Sequence, residues 1–159
     1  MKADGGPTRL TKQKLPGANE RQIGGEHYKR EGQLQHWDWA IQLGLGYLEG
    51  SATKYVSRWR NKNGRQDLEK ALHFIEKLVE AAREGLVTGL ATTGNYNDLL
   101  VKFHAAYELT PTEVKVVALL SSWETTADLQ QAKELVEAML STLPEPAATP
   151  RHGAKPAPF

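Results

Sequence analysis

The sequence predicts an all-α protein, with an antiparallel helical hairpin core, an additional C-terminal helical module and flexible termini. Three observations predict it. Apolar residues recur at helical spacing in two adjacent stretches, 47–62 and 66–84. Asn63-Gly64 and Gly85 stand where those stretches end, and glycine tolerates the left-handed backbone that closes a helix. No run alternates apolar and polar residues over strand length, and only Gly85–Thr93 offers room for a short strand.

The elements follow in chain order. Residues 1–21 are rich in Gly, Pro and Lys without apolar period and read as a flexible leader. A short helix is expected over Trp37–Leu45. The second runs from about Tyr47 to Lys62, with Leu48, Ala52, Tyr55, Val56 and Trp59 on one face. The third covers about Gln66 to Glu84 and buries Leu68, Ala71, Leu72, Ile75, Leu78, Val79 and Ala82. The short connection between them forces an antiparallel pair, the heart of a domain over 22–85. Residues 86–94 read as a linker. Helix signals resume at Tyr96–Tyr107. Thr110-Pro111-Thr112-Glu113 then carries a capping-box pattern with Pro at the first helical position, opening a helix to about Ser121. Thr125 and Asp128 open a last helix ending near Leu143, which completes a module over 95–143. Residues 144–159 hold five of the eight prolines and read as a tail.

Composition removes several function classes. There is no Cys, hence no disulfide framework, thiolate zinc site or cysteine nucleophile. No apolar run approaches membrane-spanning length, and the polar N-terminal stretch lacks the apolar core of a signal peptide. A soluble, intracellular protein without membrane partners is expected. A net charge of +1, from 20 Lys+Arg against 19 Asp+Glu, lacks the overall basicity of a dedicated nucleic-acid binder.

Local charge is more informative. Between Ser51 and Gly64 stand Lys54, Arg58, Arg60 and Lys62 with no acid. Lys54, Arg58 and Lys62 lie at i, i+4 and i+8, within an arc of about 80°. Cations so placed suit a phosphate ligand, and the amides of Asn63 and Gly64 at the start of the third helix would add to the same potential. Alternatively the stripe is a solvated face paired to Asp67, Glu69, Glu76 or Glu80. Arg60, about 200° from Arg58, is expected to stand apart from the site.

On the third helix Glu69, His73, Glu76 and Glu80 form a polar stripe. Such carboxylates would suit Mg²⁺, although pairing with Lys70, Lys77 and Arg83 is the better reading. Asp67 complements the helix dipole, or serves as a general base or metal-water ligand beside the basic loop. His27-Tyr28 precedes the first helix in polar chain, suited to phosphate or base contact. Trp37 and Trp39 must face different ways, so one is core and the other a base-stacking platform; Trp59 packs the helix pair.

Two further patterns are decoys. Gly44-Leu-Gly46-Tyr-Leu-Glu-Gly50 follows no strand and lacks the ending of a P-loop. Leu109–Leu120 looks like the opening of a helix-turn-helix, but the following segment holds Asp128, Glu134 and Glu137 against Lys133 alone. Phosphates would repel it, and no sequence-specific DNA binding is expected.

The run from His27-Tyr28 through Gly50-Ser-Ala-Thr-Lys54-Tyr55-Val-Ser-Arg58 to Lys62-Asn-Gly64-Arg-Gln-Asp67-Leu68-Glu-Lys70-Ala71 resembles a small phage family of unknown function, sometimes called SaV-like. The resemblance spans about residues 22–82. It implies a phage-encoded protein acting in the host cytoplasm. One family member is a kinase of deoxynucleoside monophosphates (dTMP and dGMP) without a P-loop, and another is a phage product sensed by a host defence system. A nucleotide-binding role attaches by this resemblance to His27, Tyr28, Lys54, Arg58, Lys62, Asp67 and Lys70. In the kinase reading Lys54, Arg58, Lys62 and Gly64 bind phosphate, Asp67 and Lys70 are catalytic, and Tyr28 or Trp37 stacks the base. The phosphate donor is then a nucleoside triphosphate, with Mg²⁺ as the expected metal. Competing expectations are a non-catalytic host-takeover or anti-defence factor that binds a nucleotide, a nucleic acid or a host protein, and an all-α pyrophosphohydrolase. The last needs acids from two helices, and the second helix offers only Glu49. A hairpin alone buries little, so a homo-oligomer is expected.

Overall fold

The computed structural model describes residues 17–19 and 34–146. Among the described residues six α-helices occur in order: α1 (His36–Leu43), α2 (Tyr47–Arg58), α3 (Arg65–Arg83), α4 (Tyr96–Tyr107), α5 (Pro111–Ser122) and α6 (Thr126–Ser141). A single 3₁₀ turn, Trp59–Asn61, continues α2 toward α3. The second helix is therefore shorter than its apolar period suggests, because its last turn tightens before the chain reverses.

Punctuation residues set the boundaries. Gly44 (φ 64), Gly64 (φ 56) and Gly85 (φ 71) adopt left-handed backbone at helix ends, where a side chain would be strained. The capping box of α5 is present: Thr110 Oγ1 accepts from the Glu113 amide and the Glu113 carboxylate accepts from the Thr110 amide. Thr125 and Asp128 form the corresponding box on α6.

The helices α2, α3, α6 and α5 pack in a ring around one apolar core, with α1 laid against α4 and α2 at its side. Ala52 and Val56 of α2 and Leu68, Ala71, Ile75 and Leu78 of α3 meet Val116, Val117 and Leu120 of α5 and Leu129, Ala132 and Val136 of α6. The C-terminal helices thus cover the hairpin's inner face. The apolar surface that argued for a second copy of the chain is buried within one chain.

No strand forms among the described residues, and the short strand considered at Gly85–Thr93 is absent. That segment has no strand to pair with. It packs instead on the α5–α6 corner, where the Leu90 amide donates to the Trp123 carbonyl at 2.8 Å. Gly89 lies so close that a Cβ there would meet the Trp123 oxygen at 2.8 Å and the Glu124 Cα at 2.9 Å. No helix among the described residues is long and apolar enough to cross a membrane.

Candidate functional site

The outer face of the α2–α3 hairpin, turned away from α5 and α6, carries the cations. Arg58 is half-buried, and its Nε donates to Asp67 Oδ2 at 3.2 Å. Its guanidinium carbon lies 4.6 Å from the Tyr55 ring centroid, and Lys70 Nζ of α3 lies 5.5 Å from the same centroid. Each such contact contributes about 0.5–1 kcal/mol at an exposed site, enough to bias where the charge rests. Among the described residues, Arg58 engages only through Nε, which leaves its two terminal amino groups for a ligand. Lys54, one helical turn earlier, is exposed, as is Lys62.

Asp67 sits beneath this arrangement and is fully buried. Besides Arg58, it accepts from the Asn63 backbone amide at 3.4 Å and from Asn63 Nδ2 at 3.2 Å. The carboxylate therefore fixes the α2–α3 turn and aims Arg58; it has no open side toward a ligand. The amides of the turn differ from the sequence expectation. Asn63 N–H donates inward to Asp67, and Gly64 N–H donates to the Trp59 carbonyl at 2.8 Å. They form no outward cradle for phosphate, because a buried carboxylate and a helix-terminal carbonyl claim them first. Gly64 contributes its backbone conformation (φ 56, ψ −129).

The carboxylate stripe of α3 is paired. Glu69 meets Arg65 at 3.0 Å, Glu80 meets Lys77 at 3.2 Å, and Glu76 lies 4.0 Å from Lys133, which also reaches Glu137. His73 is exposed. Among the described residues no group of three or more His, Asp or Glu is placed to hold a metal ion.

Trp39 is fully buried and stacks on Phe103 of α4 at 4.2 Å and 17°, whereas Trp37 on α1 is 46 % exposed. Trp37 makes no ring contact with the Tyr55 cluster among the described residues. His27 and Tyr28 lie outside the described residues.

Three participants escape a sequence reading. Tyr55, which its spacing places on the apolar face of the second helix, and Phe74 are both half-exposed and stack at 5.8 Å and 15°, with Tyr47 edge-on to Phe74 at 5.8 Å. Their only signal is the neighbouring cations at Arg58 and Lys70. The third is His36, whose Nε2 lies 2.9 Å from Thr53 Oγ1. The Thr53 hydroxyl faces the carbonyls of Glu49 and Gly50, so its proton goes to a carbonyl and His36 donates from Nε2. Burial first, then Lys54 and Arg58, push this imidazole down to about 4. A depressed histidine stabilises the fold in full above its unfolded value of 6.5 and loses that contribution as the pH falls toward 4. The expected loss is about 3 kcal/mol across that window. Urea denaturation near neutral pH and near pH 4 checks it. His36→Gln should flatten the difference, and an equally steep profile in that variant would assign it to other groups.

Comparison with curated proteins and with solved structures finds no match. The matched family segment begins ahead of α1 and ends within α3, so it contains the cation cluster but neither α5 nor α6. Residues 24–76 carry a domain that matches the family described as a protein of unknown function, DUF3310.

Proposed function

We propose that this chain binds a nucleotide on the outer face of the α2–α3 hairpin, with phosphate against Lys54, Arg58 and Lys70 and the base against the half-exposed Phe74 ring. One observation carries the reading. Arg58 is held at Nε by a buried carboxylate and lies over the Tyr55 ring, and among the described residues its two terminal amino groups take no other partner. A guanidinium fixed this way suits bidentate recognition of phosphate and loses little entropy on binding.

The finer reading is a phage-encoded nucleoside monophosphate kinase of the dTMP and dGMP type, working in the host cytoplasm. The terminal phosphoryl group of a nucleoside triphosphate would pass to a phosphate oxygen of the monophosphate, giving two diphosphates. Lys54, Arg58, Lys62 and Lys70 would neutralise charge on the phosphoryl oxygens, the larger part of catalysis for this transfer. Asp67 acts in this scheme by holding Arg58, since its carboxylate is buried. That burial equally favours a second reading, a non-catalytic phage factor that sequesters a nucleotide or engages a host defence protein.

Turnover separates the two. A thermal-shift panel of nucleotides with and without Mg²⁺, followed by product analysis on each hit, is expected to show stabilisation by a deoxynucleoside monophosphate and formation of its diphosphate. Stoichiometric binding without conversion would remove the kinase and keep the nucleotide. No stabilisation by any nucleotide would remove both.

A further inference from the structure

We propose that the outer face of the α2–α3 hairpin is a platform for single-stranded nucleic acid, seating two or more stacked bases along it. The proposal rests on the nucleotide reading of the same cations and names the larger ligand that the aromatic residues fit.

The rings run further than one base needs. Tyr47 stands eight residues before Tyr55 on α2, about 12 Å along the helix axis. Phe74 of α3 lies between them, 5.8 Å from each ring. Tyr47 is 78 % exposed at the far end of this strip, well away from the cations beside Tyr55. A mononucleotide whose phosphate meets Arg58 has no use for Tyr47. A strand whose phosphates meet the cations over Tyr55, and whose bases step past Phe74 to Tyr47, uses the whole strip.

Charge agrees with this placement. The one acid on α2, Glu49, is buried and accepts from Trp123 Nε1 at 3.0 Å. Asp67 is buried beneath Arg58. The acids of α3 are drawn elsewhere, Glu69 to Arg65 and Glu76 to Lys133 of α6. Among the described residues Lys54, Arg58 and Lys70 therefore present positive charge without an unpaired exposed acid beside them, although the chain as a whole is nearly neutral. Aromatic rings beside a cationic track are the elements of sequence-tolerant strand binding, since every base has a face to stack and every nucleotide a phosphate. The platform presents rings and cations to the strand, so little sequence preference is expected.

Fluorescence anisotropy with labelled oligothymidylates of increasing length, and dTMP as competitor, tests the proposal on the full chain. Affinity is expected to rise with length beyond one nucleotide. Tyr47→Ala should weaken oligomer binding by about 5- to 150-fold, the range for losing one stacked base. The same variant should leave dTMP binding unchanged, and Tyr47→Phe should behave as wild type. The logarithm of affinity against the logarithm of salt should slope at about −2 for three phosphate contacts. Oligomers that bind no tighter than dTMP, with Tyr47→Ala silent, would overturn the platform and leave the nucleotide site standing. Oligomer binding without dTMP binding would support the platform and remove the kinase. Binding of neither would remove platform and nucleotide site together.

Discussion

Glu113→Ala is expected to destabilise the fold by about 3–5 kcal/mol, lowering the midpoint of thermal unfolding by about 10–20 °C. The Glu113 side chain is 1 % exposed and takes four donors. Its Oε1 accepts from Trp59 Nε1 at 2.8 Å and Arg60 Nε at 3.0 Å; its Oε2 accepts from Arg60 Nη2 at 2.9 Å and the Thr110 amide at 2.8 Å. Removing the carboxylate strands an indole N–H, an amide and a guanidinium, and it opens the capping box of α5. Arg60→Ala should cost less, about 2 kcal/mol, because that side chain is 40 % exposed and water replaces part of what it supplied. Arg60 lies in the 3₁₀ turn that follows α2 and meets Glu113 of α5 and the Glu108 carbonyl, whereas Arg58 meets Asp67. Arg60 is a stabilising link between the hairpin and α5. Scanning calorimetry on both variants checks the order; an unchanged midpoint for Glu113→Ala would mean that the link does not hold the fold in solution.

Arg58→Ala is expected to weaken nucleotide binding by about 10- to 150-fold, the equivalent of a charge-assisted and bidentate contact of ~1.5–3 kcal/mol. Arg58→Lys should recover part of this, since an ammonium has no planar fork and cannot keep the Nε bond to Asp67 while presenting two further donors. Lys102→Ala, exposed on α4, is the control that removes the same charge elsewhere. Because Arg58→Ala also strips a partner from buried Asp67, affinity must be read by titration calorimetry at a temperature where far-ultraviolet circular dichroism shows the variant folded. Equal affinities for wild type and Arg58→Ala would reduce the basic stripe to a solvated face.

The helices themselves were legible in the residues, for local reasons. Leu68, Ala71, Ile75, Leu78 and Val79 bury as their spacing dictates, and Gly64, Gly85 and the Thr110–Glu113 box end and begin helices where they stand. The clustering of Lys54 and Arg58 was likewise written in a one-turn spacing. Each of these depends on neighbours within a few positions.

What lay beyond the sequence depends on partners far along the chain. Glu113 reads as one half of a helix cap, yet it also receives Trp59 and Arg60 from 54 and 53 positions away. Asp67 reads as a general base or metal-water ligand from its place beside the basic loop, while its burial under Arg58 and Asn63 is not visible in the sequence. Tyr55 and Phe74 satisfy a helical apolar period whether they face a core or line a surface groove; only the packing of α5 and α6 against the opposite side of the hairpin leaves them half-exposed beside the cations. Periodicity determines that a side chain lies on a given stripe of its helix. Which stripe meets another helix, and which meets solvent and ligand, is decided by the helices that arrive from the rest of the chain.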